Sequence, residues 1–381
     1  MARQGFDVQV LCWDRQALRR ARETIDQCSV RNFRLGKTSI LPTSRLYYLI
    51  VAVLFQLVIL LWTVRAVAIR RAVILHAHDF NTLLGSAATR LFLKDRVRLV
   101  YDSHELTPGA YKEWYGSLVS GIVERVEFTA LRRVDAIITA NEAILSHLCQ
   151  GSSAPAAVIY SCFSTEEIPK VRPLGAKEKL GLSGSFVTIF AGKVRQDYNV
   201  GMILNAAREM KRNGQSRFKF LFVGPPDSAK SLVDLVRKDG LEDFFIFRGL
   251  VPDDDLPWHY MASDLCFAVT RPIGPNSDIL TPIKLFESMG CGVPVVVREG
   301  TLAAKIVRCW HCGIVVPSSE AAFLRELVRL GDDPRLVRAL GAAGRKAFLD
   351  EYNWERMQAR LLQLYSTLYT SNSVRTRAKL T

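Results

Sequence analysis

The amino-acid sequence predicts an α/β protein with parallel sheets, organised in two domains. Short runs rich in β-branched and aromatic residues alternate with helical patterns along the chain, which is typical of parallel strands joined by crossover helices. The length of 381 residues is sufficient for two domains with separate hydrophobic cores. A polar, turn-rich segment at residues 163–184 separates the two series of strands, and we interpret it as the linker.

Each predicted strand is a short apolar run bounded by polar or turn-forming residues. The runs are FDVQVLCWD, AVILHAHD, RLVYDSHE, VDAIITAN, AAVIYSC, FVTIFAG, FKFLFVG, FFIFRG, LCFAVT, VPVVV and CGIVV. Between them, residues 112–133 and 142–149 are among the segments with a helical pattern. The sequence therefore predicts an N-terminal domain over residues 1–165, a C-terminal domain over residues 166–349, and a long C-terminal helix with a basic tail over residues 350–381.

The composition is that of a globular protein, with 23% charged and 49% hydrophobic residues. The net charge of +14 is unevenly placed, because the first hundred residues hold 16 Lys and Arg against 6 Asp and Glu. Such an excess favours contact with anionic lipid or with a phosphorylated substrate. A nucleic-acid partner is not predicted, since the sequence shows neither a basic stripe with interleaved aromatic residues nor a helix-turn-helix pattern.

The eight cysteines are scattered and form no disulfide framework that the sequence can identify. The first residues, MARQGFDVQV, lack the charged segment and apolar core of a signal peptide. We therefore expect free thiols in a reducing compartment, which corresponds to a cytoplasmic location.

Residues 46–64 form an apolar stretch that only Gln56 and Thr63 interrupt. As a helix it would be roughly 28 Å long, about the thickness of bilayer hydrocarbon. The runs FDVQVLCWD and AVILHAHD on either side resemble strands of one sheet, and a spanning helix would place them on opposite sides of the membrane. We therefore expect a crossover helix with one face on the sheet and the other in one leaflet, so that the protein is peripheral on an anionic membrane surface. A single-pass membrane protein is the alternative. Basic residues that would lie among the lipid phosphates are Arg45, Arg65, Arg70 and Arg71.

Polar residues cluster where the predicted strands end. Ligands of open α/β sheets bind beyond the carboxyl ends of the strands, which makes a cleft at these ends the expected site. A strand-end cap is the structural alternative for each residue. The residues are His76, His78, Asp79, Asp102, Ser103, His104 and Glu105 in the first half, and Gly192, Lys193 and Arg195 in the second.

The segment PNSDILTPIKLFESMGCGVPVVV is the most informative of the sequence. Pro282 suits the first turn of a helix, and IKLFESMG reads as that helix. Its N-terminus presents free backbone N–H groups and the positive end of a dipole, which suits phosphate. Glu287, further along the helix, could accept hydrogen bonds from sugar or ribose hydroxyls.

Together, HAHD, YDSHE, the Gly192 loop and PIKLFESMGCGVPVV resemble the GT-B glycosyltransferases of the large retaining family 4. The resemblance covers nearly all of the chain, with the motifs in the family order. It implies two Rossmann-like domains facing a cleft, with a nucleotide-sugar donor held mainly by the C-terminal domain. It also implies a glycan or lipid-linked acceptor on the N-terminal domain, and a C-terminal helix that crosses back to that domain.

The resemblance also implies roles for particular residues. His104 would contact the donor sugar as the catalytic residue, and Glu287 would hold the ribose as the second Glu of the E-x7-E motif. The remaining cleft candidates are His78, Asp79 and Glu105. The donor phosphates would meet Gly192, Lys193 and Arg195 and the backbone of Leu280, Thr281, Pro282 and Ile283. No metal or other cofactor is expected, because the leaving phosphate takes the acceptor proton in this family and the mechanism depends on positioning and charge.

Three features depart from the family pattern. The first Glu of E-x7-E falls at Ile279, and Tyr198-Asn199 stands where the family often has Lys or Arg followed by Gly. Met1 begins where family members have completed a first strand, so we expect the N-terminal domain to lack that strand. The leading hypothesis is a retaining hexosyltransferase of cell-envelope polysaccharide synthesis. A non-catalytic or truncated glycosyltransferase-like subunit and a GT-B-like sugar-nucleotide epimerase are the alternatives.

Overall fold

Strands and helices alternate through the chain in a computed structural model, which describes residues 2, 5–14, 19–33, 45–70, 73–170 and 175–378. The strands are β1 (Gln9–Trp13), β2 (Arg22–Ile25), β3 (Cys28–Phe33), β4 (Val73–His78), β5 (Val97–Ser103), β6 (Ala136–Thr139), β7 (Ala156–Val158), β8 (Phe186–Ala191), β9 (Phe218–Val223), β10 (Phe245–Gly249), β11 (Leu265–Phe267), β12 (Val295–Arg298) and β13 (Gly313–Val316). The helices are α1 (Arg45–Arg70), α2 (Phe80–Leu93), α3 (Thr107–Tyr115), α4 (Ser117–Leu131), α5 (Glu142–Leu148), α6 (Ala176–Lys179), α7 (Gly201–Arg212), α8 (Pro226–Lys238), α9 (Leu256–Met261), α10 (Pro275–Ile279), α11 (Ile283–Gly290), α12 (Leu302–Trp310), α13 (Glu320–Asp332), α14 (Pro334–Asp350) and α15 (Trp354–Ala378).

The chain divides into two compact units. The first unit comprises Met1–Val158 together with Arg360–Thr381, and the second comprises Ile159–Ala359. Helix α15 therefore begins in the second unit and contributes most of its length to the first. The segment interpreted as a linker, residues 163–184, belongs to the second unit, and its residues 171–174 lie outside the described ranges.

The main sheet of the first unit has the order β4-β5-β6-β7, and all its pairs are parallel. Every residue of β5 is buried, which explains why RLVYDS reads as a continuous run rather than as an alternating one. On one side of this sheet, the helix predicted over residues 112–133 is in fact two helices. Gly116, with φ of 86°, separates α3 from α4.

A second, smaller sheet in the first unit has the order β1-β3-β2. Strand β3 is parallel to β1 and antiparallel to β2, with which it forms a hairpin. Strands β2 and β3 were not predicted, because RETI and CSVRNF are too polar to be recognised as apolar runs.

The prediction that FDVQVLCWD and AVILHAHD share one sheet is wrong. Within the described residues β1 pairs with β3, and β4 pairs with β5 in the other sheet. The reason is local, since β1 finds a partner in β3 before the chain reaches α1. A shared sheet therefore no longer argues against a spanning helix, and the packing of α1 becomes the relevant evidence.

Helix α1 is longer than predicted and packs with one face only. The segment Val53–Arg70 is long and apolar enough to cross a membrane, with a mean hydropathy of 1.8, and 22% of it is buried. Its buried row consists of Val51, Phe55, Ile59, Thr63 and Val67. The ring of Phe55 lies 5.7 Å from that of Trp13 in β1 and 6.4 Å from that of Phe33 in β3, so α1 covers the smaller sheet.

The two polar residues inside the apolar stretch are both hydrogen-bonded. Thr63 Oγ1 donates to the Ile59 carbonyl one turn earlier, at 2.8 Å. Gln56 instead reaches α2, where its Nε2 donates to the Asn81 carbonyl at 2.5 Å and its Oε1 accepts from the Gly85 amide at 2.7 Å. A Cβ on Gly85 would lie 2.8 Å from the Gln56 carbonyl oxygen, so the glycine permits this close approach of the two helices.

The second unit contains one parallel sheet of order β10-β9-β8-β11-β12-β13. Its core is unusually aromatic, and the side chains that pack together include Phe190, Phe218, Phe220, Phe222 and Phe267. Buried apolar residues of α7, α8 and α13 complete this core. The α/β class with parallel sheets in two units is confirmed.

We expect Gly85→Ala to weaken the docking of α1 on α2. The added methyl group would overlap the Gln56 backbone, and such overpacking typically costs about 1–3 kcal/mol. Hydrogen exchange of the α1 amides should therefore become faster. The matched control is Gly121→Ala in α4, where a Cβ meets nothing within 4 Å and helix propensity favours alanine. Unchanged exchange in Gly85→Ala would show that α1 does not rest on α2.

Candidate active site

Three histidines of the first unit surround one buried carboxylate, that of Asp102. His78 and Asp102 are register partners at the carboxyl ends of β4 and β5, and His76 lies on the same face of β4 as His78. His76 Nε2 and His78 Nδ1 lie 3.1 and 3.2 Å from Asp102 Oδ2, and His104 Nε2 lies 3.4 Å from Asp102 Oδ1. The rings of His76 and His78 are stacked, with centroids 4.3 Å apart. The structure thus brings together residues that the sequence placed at two separate strand ends.

The charges in this cluster depend on burial and on the shared carboxylate. Burial alone would raise the pKa of Asp102, but hydrogen bonds from His104, His76 and His78 outweigh it and hold that pKa well below its usual range. The hydrogen bond to Asp102 raises the pKa of the more exposed His104, whereas burial lowers the pKa of His76. Asp102 is therefore ionised, and His104 carries a proton more readily than His76 does.

Asp79 and Glu105, the other candidates of this edge, lie beside the cluster. Asp79 adopts a positive φ of 59°, its amide donates to the Asp102 carbonyl at 2.8 Å, and its Oδ1 accepts from the His104 amide at 3.0 Å. The exposed Glu105 follows His104, and its carbonyl accepts from Ser103 Oγ at 3.0 Å. These two hydrogen bonds tie the end of β4 to the end of β5 and hold Asp79 in its strained conformation.

Tyr365 is a member of this cluster that the sequence analysis missed. It lies on α15, and its hydroxyl is 2.6 Å from His76 Nδ1. Only the fold brings it there, because 289 residues separate the two side chains along the chain. The amphipathic pattern of α15 predicted the helix but gave no indication of a polar contact.

In the second unit, a glycine ends or directly follows each of three neighbouring strands. Gly192, Gly224 and Gly249 close β8, β9 and β10, and all three line a cavity of about 290 Å³ with the first turns of α8. A Cβ on Gly224 would lie 2.3 Å from the Gly192 carbonyl oxygen, and the φ of Gly224 is 155°. Side chains are therefore excluded from the floor of this cavity, which leaves room for a ligand.

The helix predicted from IKLFESMG is α11, Ile283–Gly290. Pro282 occupies the N-cap position rather than the first turn, so Leu280, Thr281 and Pro282 form the approach to the helix. The preceding helix α10 is anchored to the sheet, since the buried Arg298 of β12 forms an ion pair with Asp278 of α10. The Leu285 amide of the first turn donates to the Pro282 carbonyl at 2.9 Å. The two preceding amides, those of Ile283 and Lys284, come before the first intrahelical acceptor and suit an anion.

The cations predicted near Gly192 are at the surface. Lys193 is exposed, and Arg195 Nε lies 3.2 Å from Asp197 Oδ1. Both follow β8 directly and lie at the same edge of the sheet as Gly192.

Glu287, predicted to hold the ribose, is largely buried. It is 9% exposed, and its Oε2 accepts a hydrogen bond of 2.6 Å from the buried Tyr260 hydroxyl. Burial raises the pKa of Glu287. One carboxylate oxygen is thus engaged inside the second unit.

Lys284 is the polar residue of this site that the sequence analysis missed. It is 5% exposed, and its Nζ lies 3.8 Å from the ring centroid of Phe190 and 3.5 Å from that of Tyr198. A Cβ on Gly192 would lie 3.9 Å from the same Nζ. The amino group therefore lies beneath the Gly192 loop, against the tyrosine that replaces a basic residue of the family pattern.

In the described part of the chain no carboxylate lies within ion-pair distance of Lys284, although the charges of Glu287 and Asp197 favour its protonated form. Burial lowers the pKa of Lys284 to about 7. Buried lysines without an ionic partner are rare, and a perturbed group of this kind beside a cavity is typical of a functional site. A lysine between Ile283 and Leu285, at the start of the helix predicted to meet the phosphates, was the available sequence signal.

Comparison with known families decides the relationship. The sequence profile described as "Glycosyl transferase 4-like domain" matches residues 1–160, and the profile described as "Glycosyl transferases group 1" matches residues 185–333. The chain belongs to the group 1 glycosyltransferases. The family resemblance predicted from the motifs is confirmed.

Relatives of this glycosyltransferase are distant in sequence. A GDP-mannose-dependent alpha-(1-6)-phosphatidylinositol monomannoside mannosyltransferase of Mycolicibacterium smegmatis is 27% identical over 194 residues, 50% of each chain. The chain thus spans about half the length of the curated relatives it matches.

Solved structures confirm the GT-B fold. Sucrose-phosphate synthase from Thermosynechococcus elongatus aligns with a TM-score of 0.77 and 19% identity, over 97% of this chain and 91% of that one. Anabaena HepE in complex with UDP and glucose aligns with a TM-score of 0.66 and 17% identity, over 89% and 86% of the chains.

We expect Lys284→Met to stabilise the protein at pH 7. The folded-state pKa is about 7 and the ordinary value is about 10.4, so between these values the unfolded chain binds one more proton. Burying the charged lysine therefore destabilises the protein fully below pH 7, and this destabilisation decreases as pH rises across that window. Thermal unfolding should show a gain for Lys284→Met that shrinks towards pH 10. The exposed Lys230→Met should show no such pH-dependent difference, and equal effects of the two variants would contradict a buried charge at residue 284.

Proposed function

We propose that this chain transfers a sugar from a nucleotide-sugar donor to an acceptor, and that its second unit binds the donor. The observation that carries the proposal is the buried amino group of Lys284, which forms no ion pair within 4.0 Å among the described residues and lies beneath Gly192. A diphosphate supplies the negative charge that this amino group lacks.

The donor phosphates are assigned to the space between the Gly192 loop and the start of α11. There the amides of Ile283 and Lys284, the Lys284 amino group and the nearby Lys193 and Arg195 would share the phosphate charge. The base is assigned to the cavity lined by the strand-end glycines, which has apolar walls from Val194, Phe222 and Phe247. With protein cations at the phosphates, donor binding needs no metal ion.

Related proteins support a nucleotide-sugar donor. The mycolicibacterial relative is GDP-mannose-dependent, and the Anabaena structure holds UDP and glucose. For the present chain we propose a nucleoside diphosphate sugar as the donor. His104 is assigned to the transferred sugar because it belongs to the YDSHE motif.

A lipid-linked acceptor and a peripheral membrane location are part of the proposal. Helices α1, α2 and α4 pack side by side in the first unit, and each exposes an apolar row. The rows are Val53, Leu57, Leu61 and Val64 in α1, Leu84, Leu91 and Phe92 in α2, and Leu118, Ile122 and Val126 in α4. Exposed apolar rows on neighbouring helices are typical of a surface that contacts a membrane or a partner.

Basic residues favour a membrane as the contact. The three helices each lead into the start of a parallel strand, so their C-terminal ends lie at the amino edge of the sheet. The exposed cations there are Arg70, Lys94, Arg96, Arg132 and Arg133. Arg71 and the side chain of Arg45, which the sequence also assigned to lipid phosphates, lie outside the described residues. Apolar rows beside cations suit one leaflet of an anionic membrane, on the cytoplasmic side. The acceptor of this reaction would then be a lipid-linked glycan of the cell envelope.

One observation favours a second candidate, a non-catalytic subunit that binds a nucleotide. Ile279 stands where the family has the first Glu of E-x7-E, and it cannot accept a hydrogen bond from the donor sugar. Release of free sugar or of glycoside from a bound donor would separate the enzyme from the subunit.

We expect Lys284→Met to bind UDP and GDP about 10–150-fold more weakly than the wild type at pH 6.5. Loss of a hydrogen bond to a charged group costs about 1.5–3 kcal/mol, which corresponds to that range. Calorimetry should also show that wild-type affinity falls as pH rises above 7, where Lys284 loses its proton, while the variant lacks this fall. Lys230→Met is the control for net charge. Normal affinity of Lys284→Met for both nucleotides would refute the donor site.

We expect Leu57→Ser/Leu61→Ser to lower binding to anionic lipid vesicles, because the two side chains are 52% and 69% exposed and fully burying each contributes about 1.5–3 kcal/mol. Wild-type binding should fall with salt or without anionic lipid. The control is Leu235→Ser on α8 of the second unit, which is 42% exposed. Wild-type behaviour of the double variant in flotation assays would exclude this face, and extraction by detergent alone would indicate a spanning helix.

A further inference from the structure

We propose that the first unit binds a divalent first-row metal ion, zinc above all, through His76 Nε2, His78 Nδ1 and Asp102 Oδ2. These three atoms all lie within 4.8 Å of one another. The inference does not depend on donor binding, since no residue of the second unit takes part.

The separations between the ligand atoms fit such an ion. Zinc bound at about 2.0–2.1 Å in a tetrahedral site places its ligand atoms roughly 3.3 Å apart. His76 Nε2 and His78 Nδ1 lie 3.1 and 3.2 Å from Asp102 Oδ2, close to this separation. The two rings are nearly parallel, so they turn about their Cβ–Cγ bonds when their in-plane lone pairs meet at one cation. Two imidazoles and one carboxylate are a set of nitrogen and oxygen ligands that zinc and its neighbours prefer.

The backbone supports this geometry. His76 and His78 are two residues apart in β4, so their side chains point to the same face of the sheet, where the rings stack. Asp102 lies opposite His78 in the adjacent strand. Ligands on paired strands are held more precisely than ligands on loops. The positions of the three side chains therefore follow from the register of β4 and β5.

Tyr365 supplies the outer contact that metal-bound imidazoles usually have. Its hydroxyl lies 2.6 Å from His76 Nδ1, so His76 can donate its Nδ1–H to the tyrosine and present the Nε2 lone pair to the ion. Without a metal the same ring can accept from Tyr365 and donate to Asp102, and the two arrangements differ in the role of the hydroxyl.

The site would be open on one side. The His78 side chain is 62% exposed, whereas that of Asp102 is 10% exposed. Three protein ligands with a fourth position facing solvent are typical of zinc sites that bind an oxygen atom of a substrate or water. The fourth position suits a hydroxyl or phosphate oxygen of an incoming molecule.

The experiment is calorimetric titration of Zn²⁺ into the full chain, without a histidine tag and after EDTA treatment and dialysis. We expect one equivalent to bind to the wild type. His78→Asn removes an exposed ligand with little effect on folding, and its loss of affinity should exceed the 10–100-fold that an outer-contact variant such as Tyr365→Phe should show. Circular dichroism of each variant confirms that it is folded.

The control is His311→Asn, because His311 is exposed between Cys309 and Cys312 and could form an adventitious site with their thiols. Asparagine tolerates the φ of 50° at this position. Co²⁺ in place of zinc should give d–d bands without thiolate charge transfer. Absence of saturable binding, binding that survives His78→Asn, or binding that His311→Asn abolishes would each overturn the proposal.

Discussion

Parallel strand pairing is the constraint on which both candidate sites depend. In the first unit the pairing of His78 with Asp102 sets the distances of the whole histidine cluster. In the second unit the pairing of β8, β9 and β10 brings Gly192, Gly224 and Gly249 to one edge. A shift of one residue in either sheet would turn these groups to the opposite face. The polar residues therefore need few contacts of their own to stay in place.

Much of the fold was predictable from the sequence because the strands of both parallel sheets are buried. A buried strand reads as a continuous apolar run, as FVTIFA and RLVYDS do. The polar strands RETI and CSVRNF carry no such signal, and the separation of the two sheets of the first unit depends on pairing that no single run encodes. The histidines and Asp102 were predictable as strand-end residues. Tyr365 was not, since its contact exists only after α15 has packed.

Lys284 illustrates a different limit of sequence reasoning. In IKLFESMG a lysine normally indicates the solvent face of a helix, and only the packed core shows that this one is inside. The burial of Lys284 also explains its contact with Tyr198. Where the family pattern often has a basic residue, this chain has an aromatic ring, and the amino group of Lys284 on α11 contacts that ring. Lys284 thus places a positive charge beside that position.

The contact between Gln56 and Gly85 also has a consequence for synthesis on the ribosome. The two residues are 29 positions apart, and at 5–20 residues per second the second emerges roughly 1.5–6 s after the first. From the emergence of Arg70 to that of Gly85, α1 is complete but α2 is not, so Gln56 lacks its full set of partners and the helix has only the preceding Trp13 and Phe33 to contact. The order of events during translation, as well as hydropathy, therefore bears on which surface the nascent helix meets first.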